Sequence, residues 1–161
     1  MKKIFNKIAQ IFYKLAYRAI LLSWFFTRPT VYGVYVAIWY RDRLLVIKNS
    51  YKKRFTLPCG RVKRGENKAA AAVRELYEEV CIKLEKDQLT FVGDYAGKFK
   101  YATDIGTFFE ITMTQLPQVQ ADNREVVWAQ FVPLDQVYNL NLSPTVKTWL
   151  KHRSSGSDRH L

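Results

Sequence analysis

Three carboxylates, Glu75, Glu78 and Glu79, sit three and four residues apart in the stretch Gly60 to Ile82, G-R-V-K-R-G-E-N-K-A-A-A-A-V-R-E-L-Y-E-E-V-C-I. On a helix, at about 100° per residue, they fall within one arc of roughly 100°. Acids gathered in that way repel one another unless a cation lies between them. Oxygen donors of this kind suit Mg²⁺ or another hard divalent ion, with Mn²⁺ as an alternative. Arg74 precedes the cluster, and as a plain surface residue it would pair with Glu78 at i,i+4 for only about 0.2–0.5 kcal/mol. Glu66 lies nine residues before Glu75, on the opposite side of any continuous helix, so it must act from the loop or the helix start. An acid near a helix N-terminus is also favoured there by the helix dipole alone.

The elements that must hold these residues can be read around them. Asn67 is a helix cap, and Ala69 to Ala72 are strong helix formers small enough to lie close to a sheet. Ala69, Val73, Leu76 and Val80 form the expected buried stripe, leaving the carboxylate face free. Thr30 to Tyr40 reads as a long strand, with a turn at residues 41–43 and a hairpin partner from Leu44 to Lys48. Phe55 to Leu57 is a short strand stopped by Pro58. Leu89 to Tyr95, Gly106 to Met113 and Val126 to Val132 are further strands, the first two joined by a loop carrying Lys98, Phe99, Lys100 and Tyr101. Pro133 opens a short helix, and Ser143-Pro144 starts a last one through Lys151. Strands interrupted by one helix and followed by more helix make an α/β arrangement.

The spacing of the acids resembles the signature of the Nudix hydrolases, G-x5-E-x7-R-E-U-x-E-E-x-G-U, with U an aliphatic residue. Gly60, Glu66, Arg74, Glu75, Leu76, Glu78, Glu79 and Ile82 are in register with it. Cys81 stands where the pattern has glycine, and Cys59 where many members have the first glycine of P-G-G. The resemblance implies an α/β/α sandwich with a mixed sheet over about residues 28–152. It implies a pyrophosphohydrolase that uses Mg²⁺ to cleave the phosphoanhydride of a nucleoside diphosphate linked to another moiety. By the same resemblance, Glu78 and Glu79 are metal ligands, and Glu75 is a ligand or the base that takes a proton from water. Arg74 orients Glu75, the Gly60 carbonyl completes the metal shell, and Glu66 is a further ligand. An acid from outside the motif often joins them, for which Glu125, ahead of V-V-W-A-Q-F, is favoured over Glu110. A non-glycine residue at 81, where a left-handed helix end is expected, is unfavourable by about 1 kcal/mol.

Charge is distributed unevenly. The net charge is +12, yet residues 1–64 carry 15 Lys/Arg against the single acid Asp42, while residues 65–161 carry 11 against 13. Such a basic half implies an anionic partner. Arg54, Arg61 and Arg64 are the candidate contacts to substrate phosphates, and Tyr51, Phe99 and Tyr101 are candidates to stack on a base. An RNA 5′ end as substrate of a pyrophosphohydrolase is the alternative this charge raises, though no RNA-binding module accompanies it. A membrane-tethered nucleotide-binding protein without turnover is another, because of Cys59 and Cys81.

Residues 1–27 form a segment apart, a basic amphipathic helix. Ile4, Ile8, Ile11, Phe12, Leu15, Ala19, Leu22 and Phe26 line one face, and Lys3, Lys7, Gln10, Lys14 and Arg18 another. It is too interrupted by charge for a membrane span and lacks a signal cleavage site, so it reads as an anchor at an anionic membrane surface. The same face would equally pack on the domain or on a second copy in a homodimer. Two cysteines with no zinc spacing are expected to be free thiols in a reducing compartment. The expected location is cytoplasmic, peripheral at the inner face of a membrane. Residues 153–161 are expected to be a disordered tail.

Overall fold

A computed structural model describes residues 2–155; most of the expected tail, residues 156–161, lies outside them. The chain begins with a 26-residue helix, α1 (Lys2–Thr27). It ends where Arg28 takes a left-handed conformation (φ 43°), donates its N–H to the Trp24 carbonyl at 2.9 Å, and is followed by Pro29. Proline cannot continue the helix, so the chain turns directly into a strand.

Seven strands form one mixed sheet: β1 (Thr30–Tyr40), β2 (Arg43–Asn49), β3 (Phe55–Thr56), β4 (Cys59–Arg61), β5 (Thr90–Phe99), β6 (Ala102–Met113) and β7 (Val126–Pro133). The central path runs β3-β2-β1-β6-β5, with β4 on β1 and β7 on β2. β1 and β6 are parallel along the whole of β1, while the other pairings are antiparallel. A parallel pair needs a long crossover, and the motif helix α2 (Lys68–Val80) lies within it.

The period-2 alternation of β1 divides the core in two. Val34, Val36 and Ile38 face α2, where Ala71, Ala72, Leu76 and Val80 are buried against them with Leu45, Ile47 and Phe109. Tyr35, Ala37 and Trp39 face the other way, toward α3 (Leu134–Val137) and α4 (Pro144–Ser154), whose Val146, Trp149 and Leu150 complete the second core. Phe108 stacks on Tyr35 at 4.7 Å and on Trp149 at 5.3 Å between ring centres. Helices therefore cover both faces of a mixed sheet, the expected α/β/α sandwich.

Several boundaries differ from those read in the sequence. β5 and β6 are each four residues longer toward their connection, which shrinks to a turn at Lys100-Tyr101. Gly97 belongs to the strand because α4 lies against it: a Cβ there would meet the Thr145 backbone nitrogen at 2.3 Å. The deepest residues of α2 are Ala71, Ala72, Leu76 and Val80, whereas Ala69 and Val73 are half-buried. The helix is thus rolled about its axis, and Glu79 is carried inward, only 4% exposed.

The expected apolar face of α1 is not covered. Ile4, Ile8, Ile11, Phe12, Leu15, Leu22 and Phe26 are 57–75% exposed. The domain is met by another face: Gln10 Nε2 donates to the Asn123 carbonyl at 2.9 Å, Tyr13 and Tyr17 lie against the Tyr51 ring at 5.9 and 5.1 Å, and Phe25 meets Tyr101 at 5.2 Å.

Candidate active site

The site is assembled by the two ends of α2. At its start, Asn67 accepts from the N–H groups of Ala69 and Ala70, at 2.9 and 3.2 Å, satisfying donors that a helix leaves free. At its end, Cys81 adopts φ 60°, ψ 20° and donates its N–H to the Tyr77 carbonyl at 3.0 Å. The helix therefore closes in the left-handed conformation that the pattern assigns to glycine, with a cysteine bearing the strain.

Between these caps, Arg74 organises the acids. Its Nε donates to Glu66 Oε1 at 2.8 Å and its Nη2 to Glu66 Oε2 at 3.0 Å, a two-point grip. Nη1 reaches Glu75 Oε1 at 2.7 Å and Glu78 Oε2 at 3.2 Å, and Nη2 also donates to the Arg61 carbonyl at 3.0 Å. Glu66 accepts a further bond from the Lys63 N–H at 2.8 Å. The hydrogen bonds from Arg74, and then that from Lys63, push the Glu66 carboxyl down to about 2. Glu66 is thus occupied as the anchor of Arg74.

β4 packs its backbone against the other side of the cluster. A Cβ at Gly60 would stand 1.9 Å from Glu75 Cδ, so only glycine lets that carboxylate lie against the strand. The neighbouring Cys59 N–H donates to Glu79 Oε2 at 2.9 Å. Burial raises the pKa of Glu79 well above the usual carboxylate range, a shift the Cys59 bond opposes and Glu125 reinforces. Burial likewise raises Glu75, against the lowering effect of Arg74. The Cys59 thiol is pushed up to about 12, chiefly by burial.

Glu125 stands across a cavity of ≈ 360 Å³ whose lining includes Glu75, Gly60, Cys59 and Lys52. Its Oε1 accepts from the Tyr51 hydroxyl at 2.5 Å. Burial, then the Glu125 charge, raises the Tyr51 pKa, so the phenol stays a donor. Glu110 is elsewhere: it pairs with Arg153 at 2.8 Å and accepts from Trp39 Nε1 at 3.3 Å on the α4 side of the sheet. Of these two acids, only Glu125 lines the cavity.

Of the phosphate candidates, Arg61 lines this cavity, Arg54 lines a neighbouring one, and Arg64 is exposed on the loop between β4 and α2 without lining either. Lys52 also lines this cavity, and nothing in the sequence marks it out from the cations around it. Burial works against its charge, but Cys59, Glu79 and Glu125 outweigh this and hold its pKa above the usual value. The roof of the cavity was also missed. Tyr13, Tyr17, Ile20 and Trp24 of α1 form it; the signal available was that these residues share one helical face, offset from the aliphatic row.

Among the described residues, no three acidic, cysteine or histidine side chains are drawn together closely enough to make a ready metal cage. Arg74 engages Glu75 and Glu78, while the buried Glu79 takes the Cys59 N–H. The donor set nonetheless fits a hard divalent ion: carboxylates of Glu75, Glu78 and Glu79, the Gly60 carbonyl, and a buried Glu79 charge that needs a cation nearby to persist.

A model of the NUDIX domain matches residues 29–152, the whole sandwich and its acidic helix. The chain belongs to the Nudix family. As a Nudix hydrolase it is an enzyme of the pyrophosphohydrolase type, and similar solved structures agree with its fold. The MutT protein from Methanosarcina mazei Go1 is 18% identical over 81% of this chain and 98% of its own, with a TM-score of 0.68. A bifunctional NMN adenylyltransferase/ADP ribose pyrophosphatase from Francisella tularensis, complexed with AMP and a Mn ion, is 19% identical over 92% of this chain and 48% of its own, with a TM-score of 0.66. The Ap4A hydrolase of C. elegans is 21% identical over 78% of this chain and 96% of its own, with a TM-score of 0.59. No curated protein sequence matches this Nudix chain.

Proposed function

We propose that this Nudix protein hydrolyses the phosphoanhydride bond of a nucleoside diphosphate linked to another moiety, using Mg²⁺ or Mn²⁺. The observation that carries the reading is that Glu75 and Glu125 line one cavity, with Gly60 pressed against Glu75 and the buried Glu79 close enough to feel the charge of both. Glu75, Glu78, Glu79 and the Gly60 carbonyl would hold the metal, with Glu66 steadying them through Arg74. When bound, such an ion neutralises phosphate charge and makes water more acidic. Arg74 fixes Glu75 by Oε1, which leaves Oε2 to take a proton from the attacking water. Burial strengthens Glu75 as a base. Lys52 and Arg61 face the phosphates, and the Tyr51 hydroxyl holds Glu125 in place. The Francisella tularensis relative, solved with AMP and a Mn ion, supports a nucleotide-type substrate. The test is a nucleotide panel with Mg²⁺ and Mn²⁺. No metal-dependent release of phosphorus products, with wild type and Glu78→Gln alike, defeats the reading.

We also infer that α1 rests on an anionic bilayer surface. Its aliphatic row is exposed, Lys3 and Lys7 are exposed beside it, and α1 carries no acidic residue. No helix among the described residues is long and apolar enough to cross a membrane, which leaves the interfacial position for such a face. Flotation with vesicles containing anionic lipid tests this. The full chain should float, Ile8→Lys/Phe12→Lys should not, and purely neutral vesicles should recover little. Absence of flotation, with a concentration-dependent dimer that the same pair of substitutions dissolves, would assign the face to a second copy.

A further inference from the structure

Beside the catalytic cavity lies a second one, of ≈ 570 Å³, lined by cations from three separate parts of the chain. Lys14 and Arg18 come from α1, Lys53 and Arg54 from the segment between β2 and β3, and Lys98 and Lys100 from the β5–β6 hairpin. No acidic side chain lines it, and none of these six has an ion-pair partner among the described residues. Cations brought together from distant sequence positions repel one another, so their common lining is favourable only when an anion shares it. Ser143 lines the same cavity, and its buried Oγ has no hydrogen-bond partner among the described residues. A hydroxyl hidden from water at full desolvation cost points to a missing acceptor or donor. Tyr17, Tyr35, Tyr51, Lys52 and Phe99 line both cavities, so the two are adjoining parts of one cleft under α1.

We propose that this basic cavity is a second phosphate-binding site, holding a phosphate group or chain of the substrate other than the anhydride at the carboxylates. The proposal rests on the hydrolase reading only for which bond is cut. It makes the preferred substrate one with further phosphates beyond the cleaved bond, rather than a neutral sugar. Because two of the cations belong to α1, the bound anion also ties that helix to the domain.

Binding is measured first without metal, in EDTA, with inorganic tripolyphosphate as the probe. Lys53→Ala/Lys98→Ala/Lys100→Ala should weaken it by about tenfold or more, and Ser143→Ala should weaken it measurably. Lys83→Ala/Lys86→Ala, a control for overall charge, should change it by less than about twofold. Turnover is measured second, with Ap4A and ADP-ribose. The triple variant should lower kcat/KM for Ap4A by about tenfold and leave ADP-ribose within about twofold. Tripolyphosphate affinity equal in wild type and triple variant overturns the proposal, whether or not the protein turns over nucleotides. Failure of turnover with every substrate, alongside binding that the triple variant loses, removes the hydrolase reading alone. Two outcomes would assign the cavity to another occupant: binding of anionic vesicles that the triple variant loses without any effect on tripolyphosphate, or a 5′-triphosphorylated RNA binding far more tightly than the inorganic probe.

Discussion

Arg74 grips Glu66 at both carboxylate oxygens while its remaining nitrogen reaches Glu75 and Glu78. The loop acid therefore sets the position of the guanidinium, and the guanidinium sets the direction of Glu75. Replacing Glu66 by Gln removes half of that grip without touching a group beside the substrate. Glu66→Gln should lower kcat by about 10–100-fold and leave KM within about twofold, as expected of a residue that positions another. Steady-state kinetics of purified Glu66→Gln checks this, and an unchanged kcat contradicts it.

Gly60 is excluded from substitution by Glu75 rather than by backbone conformation. A methyl group at residue 60 must displace that carboxylate. Gly60→Ala should keep its far-ultraviolet circular dichroism and lose about 100-fold in kcat. A variant that retains wild-type turnover would mean that Glu75 is free to move without consequence.

Glu79 is buried with one N–H donor and two other acids nearby. Because its pKa is raised in the folded protein, folding favours the protonated form. The stabilisation is full at pH below the unfolded carboxylate value and is lost as pH rises through the folded one. Gln at this position imitates the protonated state. At neutral pH in EDTA, Glu79→Gln should be more stable than wild type by on the order of 1 kcal/mol, and it should lose the melting-temperature rise that Mg²⁺ gives wild type. Thermal melts with EDTA and with Mg²⁺ measure both effects.

Cys81 carries a left-handed backbone at the end of α2. Cys81→Gly should stabilise the protein by about 1 kcal/mol, a rise in Tm of about 2–4 °C, with little change in kcat. Differential scanning calorimetry decides it, and a drop in Tm would show that the cysteine side chain contributes more than the backbone costs.

Much of this arrangement was legible in the residues themselves. The β-branched and aromatic run from Thr30 to Tyr40 has the boundaries of β1, and Asn67 caps α2 as its side chain suggests. Glu125 lies just ahead of β7 and lines the cavity. The roll of α2 was not legible, because small residues at Ala69 to Ala72 give no sharp contrast between faces, and Glu79 counts as polar however deeply it lies. The seating of α1 was obscured for a similar reason. Periodicity marks the most aliphatic face, while the one that meets the domain is made of Tyr13, Tyr17, Trp24 and Gln10. The basic cavity was illegible because its cations come from three distant segments.

The parallel pairing of β1 with β6 has a consequence for how the molecule forms. Every rung joins residues roughly seventy positions apart, and the motif loop, α2 and β5 all lie inside the loop those rungs close. The central ladder cannot begin until β6 has been synthesised, whereas the β1–β2 hairpin can form locally beforehand. Rungs of such long range slow folding, because loop closure costs entropy before the pairing offsets it. Glu125 lies beyond β6 in the chain, so the acids of α2 face it only after β6 and the segment that follows it have been made.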